Sequence, residues 1–344
     1  MPFKIIIFDA LKRKHMKKIV NILTIYLFLS LFLASCTHTT TATKSVAHGN
    51  AGDVIVVMSD ENWNAEAGDS LRSIFDFCPG LAYEEPQMDL HQIPYNKFVE
   101  MNQLHKNIIF FEKVGDQKEG SLTVEKDKYA TNQVFVKVTA PNQAEFVKTV
   151  CEKRDYLSKL FVVADRDRWI ATFSKNRNIV GENQIADTFN ISITLPAVYQ
   201  VAEFLDKFAW IEYETKKARN GIFVYEYPLT DTTKLSLDYI IAMRNEILKV
   251  NVPGGRDGSY MTTETKFDYP VMETIMHNDC KTAVVHGLWK MHGDFMGGPF
   301  VSYTKIDEAR QRVVCVEGFV YEPNMPVRDK IRNIEGIIYT YSLK

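Results

Sequence analysis

The chain has 344 residues, of which 46% are hydrophobic and 24% are charged, and its formal net charge is -2 at pH 7. Residues 1–35 hold six basic residues and one acidic residue, so the remainder keeps 35 basic and 42 acidic residues, a net charge near -7. This acidic balance, without a long run of Lys or Arg after residue 35, argues against nucleic-acid binding, because phosphate binding requires a basic surface.

The first predicted element is an export signal that runs from Met16 to Cys36. Two lysines precede an apolar stretch, Ile19 to Phe32, which is shorter than the roughly 20 residues that a membrane-spanning helix needs. The next residues, Leu-Ala-Ser-Cys, resemble the lipobox of bacterial lipoproteins, in which the Cys thiol is lipidated and the signal is cleaved before it. We therefore predict a true start at Met16, a signal peptide over residues 1–35, and lipidation at Cys36.

The resemblance to lipoproteins also implies a location. A lipobox Cys carries three acyl chains, and two or more chains hold a protein stably at a membrane. Thr37 follows Cys36, without the Asp that marks inner-membrane retention in enteric bacteria or the acidic cluster typical of cell-surface lipoproteins of Bacteroidota. We expect an outer-membrane lipoprotein on the periplasmic face, with the Thr-rich residues 36–51 as a flexible tether.

Residues 52–344 are predicted to form an α+β domain, which divides into two subdomains at about 52–175 and 185–344. The first contains a buried strand at 52–60, an amphipathic helix at 68–80, strands at 106–114 and 132–140 across a charged turn region, and a helix from 141. The second contains a strand at 189–196, a helix at 197–208, strands at 208–214 and 221–228, and a helix at 235–250. Both follow the order β-α-β-β-α, which suggests an internal duplication.

The last part of the chain has a different pattern. Three strands at 281–291, 298–307 and 312–323 are joined by short turns, which predicts an antiparallel meander, and residues 327–342 have the apolar spacing of a helix. The fold class is therefore α+β, with mixed or antiparallel sheets and packed helices.

Two Gly-rich motifs, NVPGGRDGSYMTTE and GLWKMHGDFMGGPFVSY, together with the lipobox and the strand GDVIVVMSD, resemble an uncharacterised family of envelope lipoproteins from Bacteroidota, domain of unknown function 4837. The resemblance covers nearly all of the chain after the signal. It implies a place in the cell envelope, and it implies no catalytic residue or cofactor.

Four cysteines besides Cys36 lie far apart in the sequence, at Cys78, Cys151, Cys280 and Cys315. An even number in an oxidising compartment allows disulfides, but Cys78 and Cys151 fall on apolar helix stripes and Cys315 lies in an apolar strand, which favours buried free thiols. No CxxC or HxxxH pattern is present, so we expect no metal and no cofactor.

The segment GLWKMHGDFMGGPFVSY contains the first group of candidate site residues. If it begins as a strand, Trp289 and Phe295 face the core, and Lys290, His292 and Asp294 face the other side. His292 and Asp294 are then near enough to act as a base and its orienting carboxylate. The alternative is a hairpin corner, in which the glycines reverse the chain and His292 and Asp294 are solvated.

The segment VPGGRDGSY contains the second group, Arg256, Asp257 and Ser259. Its glycines could form an anion-binding loop in which Arg256 holds a carboxylate or phosphate. The alternative is a helix end followed by a connecting loop. Ser259 lies in neither of the common patterns for a nucleophilic serine.

These features favour a non-enzymatic lipoprotein that binds an envelope protein or glycan. Two alternatives stay open: a hydrolase of envelope polymers that uses His292, Asp294 and Arg256, and a scaffold subunit of an outer-membrane assembly. We expect the hydrolase only if the glycine-rich loop and the His292 corner meet at one cleft.

Overall fold

The computed structural model describes residues 44–78, 80–81, 85–230 and 235–344. The predicted export signal and Cys36 lie outside these residues. Residues Ser45–Lys344 form one compact unit. In the part of the chain that is described, no helix has both the length and the apolar character needed to cross a membrane.

The described residues form eight α-helices and fifteen strands. The helices are α1 Asp60–Trp63, α2 Glu66–Phe75, α3 Glu100–Gln103, α4 Gln143–Glu152, α5 Arg154–Phe173, α6 Ile179–Phe189, α7 Leu237–Asn251 and α8 Arg328–Ile338. The strands are β1 Asp53–Val57, β2 Asp89–Ile93, β3 Asn107–Lys113, β4 Ser121–Lys126, β5 Val134–Ala140, β6 Ile191–Ser192, β7 Gln200–Phe204, β8 Phe208–Glu214, β9 Arg219–Pro228, β10 Tyr260–Thr263, β11 Val271–His277, β12 Cys280–His292, β13 Gly297–Asp307, β14 Arg312–Tyr321 and β15 Ser342–Leu343.

The N-terminal half is a five-stranded mixed sheet with strand order β2-β1-β3-β5-β4. Its central strands are parallel and β4 is antiparallel to β5. Because both faces of β1, β3 and β5 are covered, these strands are almost continuously apolar rather than alternating. Helices α2, α4 and α5 cover one face, with the side chains of Leu71, Phe75, Phe146, Val150 and Phe161 in the core.

The C-terminal half is an eight-stranded antiparallel sheet with strand order β10-β12-β13-β14-β9-β8-β7, and β11 pairs with β12 beside β10. Helices α6 and α8 pack on one face, where Phe189, Ile334 and Ile338 join the core. Helix α7 covers the other face through Ile240, Ile241 and Leu248. Each inner strand therefore supplies alternate side chains to two separate cores, one on each side of the sheet.

Helix α8 connects the two halves. The carboxylate of Glu85 accepts hydrogen bonds from the backbone N–H groups of Val327 (2.9 Å) and Arg328 (3.1 Å) at the start of the helix. The Arg328 side chain also contacts Asp89 at 2.8 Å. A carboxylate at this position satisfies donors that a helix leaves unpaired and interacts favourably with the helix dipole.

The α+β fold class is confirmed, as are the meander β12-β13-β14 and the final helix α8. The proposal of two similar halves is not supported, because the first sheet contains parallel strands and the second is wholly antiparallel. The helix predicted at 197–208 is wrong, since this segment contains strand β7. A bulge between Val201 and Glu203 interrupts the strand alternation, which gives the apolar residues a spacing like that of a helix.

Residues Ser45–Asn50, the end of the predicted tether, pack against the N-terminal half. Ala47 N–H donates to Thr131 O at 2.9 Å, and Lys106 N–H donates to His48 O at 2.9 Å. Backbone hydrogen bonds to two separate segments fix this part of the chain. The tether predicted over residues 36–51 therefore does not extend to residue 51, because residues from Ser45 onward belong to the compact unit.

Candidate functional site

The first Gly-rich motif forms a loop at the end of α7, here called the glycine loop, residues 252–259. It follows the last residue of the helix and leads directly into β10. Gly258 has φ +74°, a left-handed conformation that favours glycine. The buried Ser259 hydroxyl donates to Arg256 O at 2.6 Å and accepts from Arg256 N–H at 3.1 Å, so it closes the turn. These contacts give Ser259 a structural role.

The second Gly-rich motif forms a hairpin between β12 and β13, and its tip, residues 293–296, is here called the hairpin turn. Gly293 has φ +78° and reverses the chain where the corner interpretation requires it. Trp289 is buried, as strand alternation predicts. Phe295 is instead 94% exposed, contrary to the predicted core position, because β12 ends at His292 and the alternation ends with it.

The glycine loop and the hairpin turn meet. In the pairing of β10 with β12, Tyr260 lies opposite His292, and their rings stack with centroids 4.8 Å apart. Arg256 Nε lies 3.9 Å from Asp294 Oδ1, and the Arg256 guanidinium lies 5.7 Å from the centre of the Phe295 ring. Arg256 is 62% exposed, so its ion pair contributes at most about 1 kcal/mol to stability.

The remaining candidates do not form a catalytic arrangement. Asp294 Oδ1 accepts from Phe295 N–H at 2.8 Å and pairs with Arg256, and within the described residues no hydrogen bond joins Asp294 to His292. Lys290 is paired with Glu264 at 3.0 Å, and Asp257 is exposed on the glycine loop. Burial opposes ionisation of Glu264, but backbone N–H donors and Lys290 more than offset it and lower the pKa of this carboxyl. Lys290 therefore already has a carboxylate partner.

A cavity of about 80 Å³ lies beneath the glycine loop, and we call it the tryptophan cavity. Its wall on the sheet side is formed by Trp210, Arg219, Trp289, Phe319 and Tyr321, and Met261 and Met291 complete this side. The glycine loop contributes residues 252–255 and the hairpin turn contributes Met296. None of the six candidate residues predicted from the sequence lines it, although Arg256 is adjacent in sequence to the lining residue Gly255.

The two indoles of this cavity differ in their hydrogen bonding. Trp289 Nε1–H donates to Val320 O at 3.1 Å. Trp210 Nε1 is buried and has no hydrogen-bond partner among the described residues. A buried donor without a partner is rare and unfavourable in folded proteins. The sequence places Trp210 in a strand but gives no sign that its N–H lacks a partner, because that depends on how the Trp210 ring packs against Phe223 and Phe319 from other strands of the sheet.

A second polar cluster lies on the opposite face of the sheet, under α8. His286 Nε2 is 3.4 Å from Glu335 Oε1, and the Tyr303 hydroxyl donates to the same oxygen at 3.0 Å. Burial opposes charge on His286, but the Glu335 carboxylate more than offsets it, so the pKa of His286 is raised. Burial likewise opposes charge on Glu335, and His286 and the Tyr303 hydroxyl bring its net pKa below the usual value.

All four described cysteines are free. Cys78 and Cys315 are buried, as expected, but Cys151 is exposed because the α4 stripe turns it away from the core. Burial raises the pKa of Cys78, and it raises that of Cys315 to about 12, so both thiols are protonated at neutral pH. Among the described residues, no group of three or more His, Cys, Asp or Glu side chains is placed to hold a metal ion.

Two family descriptions match the chain in succession. Residues 47–174 match a domain of unknown function, DUF8532, and residues 178–340 match a domain of unknown function, DUF4837. No curated protein has significant sequence similarity to the chain.

Similar solved structures include a mutant of the protein Mog1, at 12% identity, and the Ran-binding protein Mog1p of Saccharomyces cerevisiae, at 11%. Each match covers 45% of this chain and 90% of the other, with a TM-score of 0.26, which is too low to establish a common fold. The glycine loop, the hairpin turn and the tryptophan cavity all lie in the segment that matches the second family. The family predicted from the sequence, DUF4837, therefore matches residues 178–340 but not nearly all of the chain after the signal, because residues 47–174 match a different family.

Proposed function

We propose that this protein is an outer-membrane lipoprotein, anchored through Cys36 and facing the periplasm, that binds another envelope protein. The binding surface consists of the glycine loop and the hairpin turn. The observation that carries this proposal is the pairing of an almost fully exposed aromatic side chain, Phe295, with the exposed cation Arg256 at the tip of a hairpin. Aromatic residues and arginine are enriched at protein interfaces and contribute much of the binding energy there.

Protein binding fits this surface better than glycan binding or hydrolysis. A sugar stacks on an aromatic face, but the Arg256 guanidinium already lies over the Phe295 ring. Hydrolysis requires a base held by its carboxylate, whereas the His292 ring is stacked on Tyr260. An Arg over an exposed Phe instead presents both an apolar surface and hydrogen-bond donors to a partner.

Lipidation at Cys36 can be tested by labelling cells with a radioactive fatty acid. We expect the full-length chain to be labelled and the Cys36→Ala variant to lose the label, because only the lipobox thiol receives the diacylglyceryl group. Cys151→Ala is the matched control, since Cys151 is an exposed thiol outside the lipobox, and it should remain labelled. Unchanged labelling of the Cys36→Ala variant would refute the anchor.

Partner binding can be tested by photo-crosslinking in living cells. A benzophenone amino acid at position 257, an exposed site on the glycine loop, is expected to give a protein adduct. Phe295→Ala should lower the adduct yield at least tenfold, because truncating a central interface aromatic commonly costs about 2 kcal/mol or more of binding.

Phe267→Ala provides the matched control for this experiment. Phe267 is 83% exposed and has a neighbouring lysine, Lys266, with its ammonium 5.2 Å from the ring centre, but it lies outside both site loops. The control variant should keep the adduct. Equal loss in both variants, or an adduct that contains glycan and no protein, would contradict the proposal.

A further inference from the structure

We propose that an apolar patch formed by Val46, Val99 and Met101 docks on the membrane that holds the lipid anchor. The patch inserts at the boundary between the lipid headgroups and the acyl chains. This inference rests on the anchor at Cys36 in the proposed function and deepens it, because it specifies which surface of the domain faces the bilayer.

The residues of the apolar patch are exposed in the domain. More than half of Val46 and of Val99 is exposed, and Met101 is 70% exposed. Isolated exposed apolar residues are ordinary on a protein surface, but adjoining ones mark a surface that contacts another apolar phase or a partner. The position of these three residues therefore decides their meaning.

Val46 and Met101 adjoin through His48. Two β-bridges, at Val46 and at His48, show that residues 45–48 are extended. Alternate residues of an extended segment project to the same side, so Val46 and His48 face the same way. On that side, His48 Nε2 lies 2.8 Å from the backbone oxygen of Met101. The first residues of the domain therefore lie against the segment that contains Met101.

Val99 lies within one helical turn of Met101. It immediately precedes α3, and its backbone oxygen accepts from Asn102 N–H at 2.9 Å. Its other neighbour, Phe98, is buried and packs against Phe110, with ring centroids 5.4 Å apart. Because Phe98 lies in the core, the extended backbone at Val99 directs the valine side chain outward. The exposure of the patch is therefore set by the fold.

The length of the chain before the domain identifies the membrane as the surface that covers the patch. Cys36 precedes Lys44 by eight residues. A chain spans at most about 3.6 Å per residue, so Lys44 lies within roughly 29 Å of the lipidated cysteine. Val46 follows two residues later, inside the compact unit. The apolar patch therefore begins where the chain holds the domain close to the bilayer.

The lipid anchor also allows a small patch to suffice. Acyl chains that hold the protein at the membrane have already met the loss of translational freedom on association. Docking of the domain is then an intramolecular step, whose effective concentration is high because the connection is short. Under these conditions, the partial burial of three apolar side chains is enough to favour the docked position.

The charges beside the patch balance each other. Lys97 and Glu100 flank Val99 in the sequence, and both are exposed. Opposite charges at this spacing offer no surface of a single sign to steer a charged protein partner. The Lys97 ammonium can instead extend to the lipid phosphates while its aliphatic stem stays beside the apolar residues. A lipid surface, in which a charged layer covers an apolar one, therefore fits the patch.

Two methionines of nearly equal exposure allow a direct test. Met101 is 70% exposed, and Met276, which lies in β11 outside the patch, is 72% exposed. The lipidated protein is placed in vesicles of phosphatidylethanolamine and phosphatidylglycerol and treated with hydrogen peroxide, and mass spectrometry follows sulfoxide formation at each methionine. We expect Met101 to be oxidised at least about fivefold more slowly than Met276, because docking removes its thioether from water.

Val46→Asp combined with Val99→Asp introduces two carboxylates into the patch. Burying an ionised carboxylate is strongly unfavourable, so this variant should not dock. Met101 should then be oxidised at the same rate as Met276. Both substituted positions are exposed, so the fold should be retained, and thermal unfolding checks this.

Val180→Asp combined with Val250→Asp is the matched control. Both valines are at least as exposed as Val46, and they lie outside the patch in α6 and α7. This variant adds the same charge to the protein as the patch variant does. Met101 should remain protected in it.

Equal oxidation of Met101 and Met276 in vesicles overturns the docking, and so does protection of Met101 that survives in the variant with Asp at positions 46 and 99. Protection of Met101 in cells but not in vesicles identifies a protein as the occupant and also overturns it. Failure of the proposed function gives different results. A chain without label at Cys36 loses the anchor and the docking together, whereas the absence of an adduct from position 257 overturns partner binding and leaves the Met101 result unchanged.

Discussion

Arg244→Ala is expected to lower the free energy of unfolding by about 3–5 kcal/mol, because it leaves an uncompensated charge in the core. Arg244 and Glu317 are both 0% exposed, between α7 and the sheet. Arg244 Nε and Nη2 donate to the two carboxylate oxygens of Glu317 at 2.9 and 2.7 Å. Arg244 Nη1 donates to Thr263 at 2.8 Å, and the guanidinium lies 3.9 Å from the centre of the Phe300 ring.

The control is the double variant Arg244→Met with Glu317→Leu, measured by urea denaturation beside each single variant. Removing both charges together avoids the unpaired ion, and replacing a buried pair with apolar residues of similar size is often neutral or stabilising. The double variant should therefore be within about 1 kcal/mol of the natural protein or more stable. A loss for Arg244→Ala below about 1 kcal/mol would show that the Glu317 charge is solvated or neutralised in its absence.

Gly298→Ala is expected to destabilise the protein by about 1–3 kcal/mol, because the added methyl group has no room. A Cβ at this position would lie 2.1 Å from the backbone oxygen of Val320 and 3.2 Å from Trp289 Nε1. Strands β13 and β14 would have to separate, and the hydrogen bond from Trp289 to Val320 would be strained. The same urea measurement gives the loss of stability, and the indole NMR signal of Trp289 should shift.

Gly255→Ala is the matched control within the same site. A Cβ on Gly255 meets nothing within 4 Å, and its φ lies outside the left-handed range. Its stability should change by no more than about 0.5 kcal/mol. If both glycine variants were equally stable, then the close approach of β13 to β14 would not limit the size of residue 298.

The sequence predicts well those features that depend on local spacing. The alternation of β12 correctly places Trp289 inside, and the glycines of the hairpin correctly predict a reversal after His292. The helix over 235–250 is found at Leu237–Asn251. These elements have a regular apolar period and end at Gly or Pro, which is the information that sequence reasoning uses.

Features that depend on tertiary contacts could not be predicted in this way. Arg244 lies on the buried stripe of α7 between Ile240 and Leu248, but its charge makes a core position implausible until Glu317 is placed opposite. Strand β4 lies within a charged segment that the sequence analysis interprets as a turn. It is an edge strand, and an edge strand needs little burial, so a charged segment can form it. Phe295 is an apolar residue for which strand alternation predicts a core position. It faces solvent because strand β12 ends at His292, three residues before it.

The candidate site was predicted only in part, because it too depends on tertiary contacts. Sequence reasoning identified both Gly-rich motifs but treated the polar side chains within them as the site. The cavity between them requires Trp210, Trp289 and Phe319, which come from three strands of the sheet. Their convergence follows from strand order, which no local pattern encodes.

Photo-crosslinking from position 257 in living cells shows whether the glycine loop and the hairpin turn bind an envelope protein. We expect one protein adduct whose yield falls at least tenfold with Phe295→Ala and is unchanged with Phe267→Ala. No protein adduct, or an adduct that is insensitive to Phe295→Ala, would contradict it.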